Sequence, residues 1–209
     1  MPDAILVGGS AAALYAGHRE SFHHDHDQVL VDLDQRYQQV LEAVEASDGW
    51  ATSVRASRPP MTILGSLDGV PAGLRNLRRL LPLETMRVEV APGEFVTAPT
   101  PAEALRVKAY LVVQRNQVRD YLDVAALSVH IGRDASLSIL SGLDDYYDDR
   151  STQYGSVLTS LVLNLADPQP RDSDVINELP AYRGLVPQWH RWSDVVGVCQ
   201  ELALGLSGP

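Results

Sequence analysis

Asp25 and Asp27 stand two residues apart, with fourteen residues between them and a Gly8-Gly9-Ser10 turn. Residues i and i+2 of a strand share a face, so an extended segment here would aim both carboxylates at one point. Such a pair suits Mg²⁺, which takes oxygen ligands and is commonly held by one or two carboxylates together with substrate phosphates. Upstream, the apolar run Ala4-Ile5-Leu6-Val7 ends in two glycines, where the backbone can turn tightly and approach a ligand closely. Ser10 then falls at the predicted start of a helix, whose unpaired N–H groups and dipole favour a phosphate. The chemistry these residues suit is the holding of phosphates beside a divalent cation. Two plainer readings stand beside it. Gly8-Gly9 also serves any strand-to-helix turn, and His23, His24, Asp25, His26 and Asp27 would suit a zinc ion or a solvated loop. Zinc needs about four converging ligands, which consecutive residues seldom supply.

The elements that must position these residues follow from periodicity. Strands are predicted near 4–7, 25–31, 50–55, 61–65 and 85–91, with helices near 10–17, 33–46, 71–80, 101–115 and 119–130. Pro59-Pro60, Pro92-Gly93 and Pro99-Thr100-Pro101 punctuate the chain, and from about residue 134 the pattern is mostly helical, with segments at 156–166 and 193–206. On the helix predicted at 102–114, Leu105, Lys108, Leu111 and Val112 share one face. A charge on an apolar stripe needs a partner, and a phosphate or a site carboxylate would supply one; snorkelling to the helix edge is the alternative. Asp120 suits an N-cap with Asp123 at the third helical position, or a place in the site. Glu89 alternates with Val88 and Val90, as an exposed strand residue would.

Gly8-Gly9-Ser10, Gly17-His18-Arg19 and the Asp25-x-Asp27 pair resemble the first motif of the DNA polymerase β-type nucleotidyltransferases, particularly the AbiEii/MenT toxins. Thr85 to Val90 is similar to the strand on which those enzymes carry a third carboxylate, here Glu89, while residues 105–109 and 119–123 are similar to the toxins' later Lys and Asp motifs. The resemblance implies an α/β (α+β) fold: a polymerase β-like core with a mixed sheet flanked by helices over 1–132, and a helical C-terminal region over 133–209. It implies an enzyme that moves a nucleoside monophosphate from an NTP to the 3′ end of tRNA, releasing pyrophosphate and blocking translation. In that reading Asp25 and Asp27 hold Mg²⁺ (or Mn²⁺), and Gly8, Gly9, Ser10 and Lys108 hold the nucleotide. Asp25, Asp27, Lys108 and Asp120 are catalytic, and Glu89, Asp123 and Arg19 are further candidates. A cognate antitoxin protein is the implied partner. A small-molecule nucleotidyltransferase of the aminoglycoside type, or a silent nucleotide- or partner-binding protein, are the rival readings.

At 209 residues the chain is long enough for a sizeable core, and its net charge of −10 argues against indiscriminate binding to nucleic acid. Residues 51–119 nevertheless carry ten basic and five acidic side chains, against two basic and nine acidic over 134–178. That distribution suggests a basic face, including Arg78 and Arg79, or a solvated surface. No run of about 18 apolar residues occurs and Met1-Pro2-Asp3 lacks a basic leader, so a cytoplasmic location without membrane association is expected. Cys199, the one cysteine, falls in an apolar pattern and reads as a core residue.

Overall fold

The computed structural model describes residues 5–20, 26–30, 33–76, 79–148 and 153–208, and the side chains of 26–30 are outside that description. The fold is mixed α+β. It divides into two compact units, the first built from residues 1–11, 21–78 and 84–99, the second from 12–20, 79–83 and 100–209.

The first unit carries a five-stranded sheet in the order β1-β2-β5-β4-β3, from β1 (Ile5–Leu6), β2 (His26–Leu30), β3 (Trp50–Thr52), β4 (Thr62–Leu67) and β5 (Val70–Asn76). The sheet is mixed: β2 runs parallel to β5, and the other neighbours are antiparallel. The helix predicted over 71–80 is corrected by β5, a strand over most of that span. Asp68 and Gly69 both have positive φ, 51° and 80°, which is the two-residue turn that matches the twist of a hairpin. It folds β5 back onto β4, pairing Leu67 with Val70. Helix α2 (Leu33–Glu45) presents Leu33, Val40 and Val44 along one stripe and packs with Ile63 and Leu74 into this unit's core, joined by Tyr37, Leu41 and Trp50. A separate antiparallel pair, β6 (Thr85–Ala91) and β7 (Glu94–Pro99), turns at Gly93 with φ 80°. Strand β6 occupies its predicted span of 85–91, and β7 is a strand that the periodicity does not predict.

The second unit is helical. Its larger core gathers α3 (Pro101–Gln114), α4 (Val118–Ile131), α5 (Arg133–Ser141), α6 (Leu143–Tyr146), α7 (Val157–Ala166) and α8 (Trp192–Leu206), together with Ala12, Tyr15 and Ala16 from the later part of α1 (Gly8–Ala16). Tyr121, Leu122, Val124, Ala125 and Leu127 are all fully buried, so α4 is enclosed on every side, as a helix apolar around its circumference must be. Helix α3 starts where Pro101 permits it: Thr100 is the N-cap, its hydroxyl accepting the Glu103 N–H at 3.3 Å. Asp120 does not cap α4, correcting that alternative. Gln117 holds the N-cap position, and the first free N–H, that of Val118, donates to the Asp172 carboxylate at 2.8 Å from distant chain. Gly132, at which the sequence reading divides the chain, lies between α4 and α5 inside this unit. No helix among the described residues is long and apolar enough to cross a membrane.

Candidate functional site

Helix α1 ends at Gly17, whose φ of 55° suits the left-handed cap that glycine adopts without strain and whose N–H donates to the Ala13 carbonyl at 2.9 Å. The reversal sends His18 and Arg19 toward α4. There the Asp123 carboxylate, wholly buried, collects three cationic or cation-capable side chains. His18 Nε2 donates to Oδ1 at 2.8 Å. Arg19 donates to Oδ1 through Nε and Nη2, at 3.1 and 2.9 Å, and to Oδ2 through Nη2 at 3.1 Å. Lys108, from α3, places Nζ 2.6 Å from Oδ2. Two backbone bonds from the C-terminal region fix the same segment: Val186 N–H to the His18 carbonyl at 2.9 Å, and Glu20 N–H to the Arg183 carbonyl at 3.1 Å.

Burial alone would raise the Asp123 pKa. Lys108, then Arg19, then the His18 hydrogen bond and charge outweigh it, holding the carboxyl well below the usual carboxylate range. Around this one negative charge stand two permanent positive charges and an imidazole, a local surplus of positive charge. His18 Nδ1 is buried and has no hydrogen-bond partner among the described residues. Arg19 is the member nearest solvent, with 9% of its side chain exposed against 3% for Lys108. The cluster therefore offers donors and positive charge, chemistry suited to holding an anionic group.

Among the candidates from the sequence, Lys108, Asp123 and Arg19 are brought together here. Lys108 has the partner its position demanded, and that partner is a carboxylate. Asp120 points to a different ion pair: fully buried, it binds Arg115, with Nη2 to Oδ1 at 2.5 Å and Nε to Oδ2 at 3.2 Å. Gly8, Gly9 and Ser10 form the opening residues of α1, with Gly8 at φ 79°. Asp27 lies in β2, its backbone in register with Gly73 of β5, and Asp25 is outside the described residues. Glu89 is exposed on β6, outside the five-stranded sheet, where its Oε1 accepts the Gly93 N–H at 2.9 Å and closes the hairpin turn. No group of three or more His, Cys, Asp or Glu able to hold a metal occurs among the described residues. His18 stands in the Gly17-His18-Arg19 motif but carries no expected site role in the sequence; its signal is its place directly after a helix-ending glycine and before Arg19.

The basic face expected over 51–119 is drawn inward in part. Arg79 and Arg106 both bind the buried Glu103 carboxylate, and both guanidinium groups lie over the Tyr146 ring, at 5.1 and 4.1 Å from its centroid. With Lys108 on Asp123 and Arg115 on Asp120, four of the ten basic side chains serve internal carboxylates.

The chain is 34% identical over 129 residues to the heme uptake protein MmpL11 of Mycobacterium tuberculosis. It is 36% identical over 137 residues to the probable transport protein MmpL11 of Mycobacterium leprae, and 38% over 91 residues to the mycolic acid-containing lipids exporter MmpL11 of Mycolicibacterium smegmatis. These alignments cover 62%, 63% and 44% of this chain but 13%, 12% and 10% of the relatives, so the chain spans a small part of the proteins it matches. No family model and no solved structure matches it. The relatives' names describe transport, heme uptake and lipid export, which corrects the resemblance to AbiEii/MenT toxins and with it the expected nucleotidyltransferase activity, enzyme class and toxin role. The tRNA, NTP and antitoxin expected as partners came with that resemblance and find no support in these relatives. The physical reason lies in the motifs. Gly-Gly before a helix is demanded by any tight strand-to-helix turn, and Asp-x-Asp is too short to distinguish a metal site from an exposed strand.

Proposed function

We propose that this chain is a module of a membrane transport system of the MmpL11 kind, joined to the transporter or acting beside it, that binds the anionic group of a transported molecule. The observation that carries this reading is the 34% identity over 129 residues to a heme uptake protein. The buried cluster supports it chemically. Heme carries propionates and mycolic acids carry a carboxylate, and Arg19, Lys108 and His18 outnumber the one carboxylate they surround. A carboxylate arriving at the Arg19 edge would meet a guanidinium that already donates in the forked geometry carboxylates accept.

The test has two arms. Titration of the full chain with hemin, and separately with a long-chain carboxylate in mixed micelles, is expected to give saturable binding by absorbance or tryptophan fluorescence, weakened in Arg19→Ala. Co-expression with an MmpL11-type transporter is expected to give co-purification from solubilised membranes. Absence of both would overturn the reading, and binding unchanged in Arg19→Ala would move the ligand away from Asp123.

A further inference from the structure

Strand β6 reads Thr85-Met86-Arg87-Val88-Glu89-Val90-Ala91, apolar and charged residues alternating, so Met86, Val88 and Val90 share one face while Arg87 and Glu89 share the other. Among the described residues it pairs with β7 alone. Strand β7 lies beside β1, whereas the outer edge of β6 leaves its N–H and C=O groups without a strand partner. Its faces are open as well: Met86 is 44% exposed, Val90 49%, and Phe95, under the Arg87 guanidinium, 48%. An exposed apolar edge strand is a template for another strand, and native chains usually blunt such edges. Arg87, Glu89 and a register shift between Glu89 and Ala91 blunt β6 only in part, and it holds no proline and no lysine.

The order of its side chains selects the occupant. When β6 is laid antiparallel against a copy of itself about Val88, Arg87 stands opposite Glu89 of the partner subunit, and Glu89 opposite Arg87 of the partner subunit. Val88 then meets its own counterpart and Met86 faces Val90 of the partner subunit. The two charged pairs are directly cross-strand with opposite sign, and the apolar residues form one continuous strip on the other face. Both are the contacts that stabilise antiparallel pairs. The pairing joins residues of the same parity, so backbone groups that point away from β7 meet groups that also point away from theirs. The same strand in a parallel arrangement in register would put Arg87 against Arg87 and Glu89 against Glu89. We propose that β6 is a self-association surface: two copies of this chain pair antiparallel through β6, joining their hairpins into a four-stranded sheet in the order β7-β6-β6-β7. The interface rests on the hairpin and goes beyond the ligand reading, which concerns Asp123.

The experiment is sedimentation of the full chain over a range of concentrations. Wild type is expected to show a reversible monomer–dimer equilibrium, as suits an interface smaller than the standard size. Arg87→Glu and Glu89→Arg, each made alone, place like charges opposite one another twice and are expected to weaken the dimer by about tenfold or more. The double variant Arg87→Glu/Glu89→Arg restores both opposite-sign pairs and is expected to recover it, which separates pairing from any damage to the hairpin. Val88→Cys, at the centre of the register, is expected to cross-link between copies on mild oxidation, since directly opposed residues approach within disulfide reach. Thr85→Cys, which faces Ala91 of the partner subunit, is expected not to cross-link. A wild type monomeric at every concentration, or a dimer that both single charge reversals leave intact, would overturn the proposal.

Discussion

Asp123 lies at the centre of a charge arrangement whose members are not equivalent. Removing its charge leaves Lys108 and Arg19 buried without a counter-ion, whereas removing Lys108 leaves the carboxylate still bound by Arg19 and His18. Asp123→Asn is therefore expected to cost about 3–5 kcal/mol and Lys108→Met about 1–2 kcal/mol, in urea unfolding followed by circular dichroism. The reverse order would assign the stabilising role to the lysine. The pH dependence has a definite sign. In the unfolded chain the carboxyl takes up a proton near its ordinary 3.8, while in the folded chain it stays ionised to much lower pH. The unfolded state thus binds more protons in that window, so stability is full above about pH 5 and falls as the pH drops further. Asp123→Asn should flatten this acid limb. At Cys199, burial pushes the thiol up to about 12, which keeps it protonated at neutral pH. Iodoacetamide should leave the folded chain unmodified and label it in urea; rapid labelling without denaturant would contradict the buried placement.

Elements with a local signal were legible from the sequence, and those defined by distant partners were not. Helices α3, α4, α7 and α8 matched their predicted spans closely because each combines apolar periodicity with a clear start or stop, such as Thr100-Pro101. Strand β5 was missed although Asp68-Gly69 announced a hairpin, because residues 71–80 also fit a helical apolar spacing and only pairing with β2 and β4 decides between the two. The site was half legible: Lys108's need for a partner could be read from its helix face, whereas the partner's identity could not, since Asp120 and Asp123 differ only in what the fold brings to each. Close packing gives a further prediction. A Cβ at Gly65 would lie 2.4 Å from the Ala51 carbonyl oxygen and 2.8 Å from the Trp50 ring, in the β3–β4 pair. Gly65→Ala is expected to destabilise by about 1–3 kcal/mol, the usual range for overpacking. An unchanged melting temperature would show that the strands separate at no cost.

Each unit has its own core, Leu33, Ile63 and Leu74 in one and the α4-centred cluster in the other. Ile63→Ala and Leu161→Ala, both at fully buried positions, are each expected to cost about 2–5 kcal/mol. Calorimetry should show Ile63→Ala lowering one transition and Leu161→Ala another; a single transition shifted equally by both would mean the cores melt together. The molecule's basic stretch illustrates why charge counts mislead at this scale, since its arginines were counted as surface but Arg79 and Arg106 face inward onto Glu103. One consequence belongs to biosynthesis. His18 and Arg19 are more than a hundred residues ahead of Asp123 in the chain, and the Val186 N–H that fixes His18 is later still. A ribosome releases these residues in order, so His18 and Arg19 emerge without their carboxylate partner until α4 has left the exit tunnel, and the His18 carbonyl is bound only once Val186 has followed. Throughout that interval His18 and Arg19 are open to chaperones and proteases, whereas in the folded protein His18 is buried and little of the Arg19 side chain is exposed.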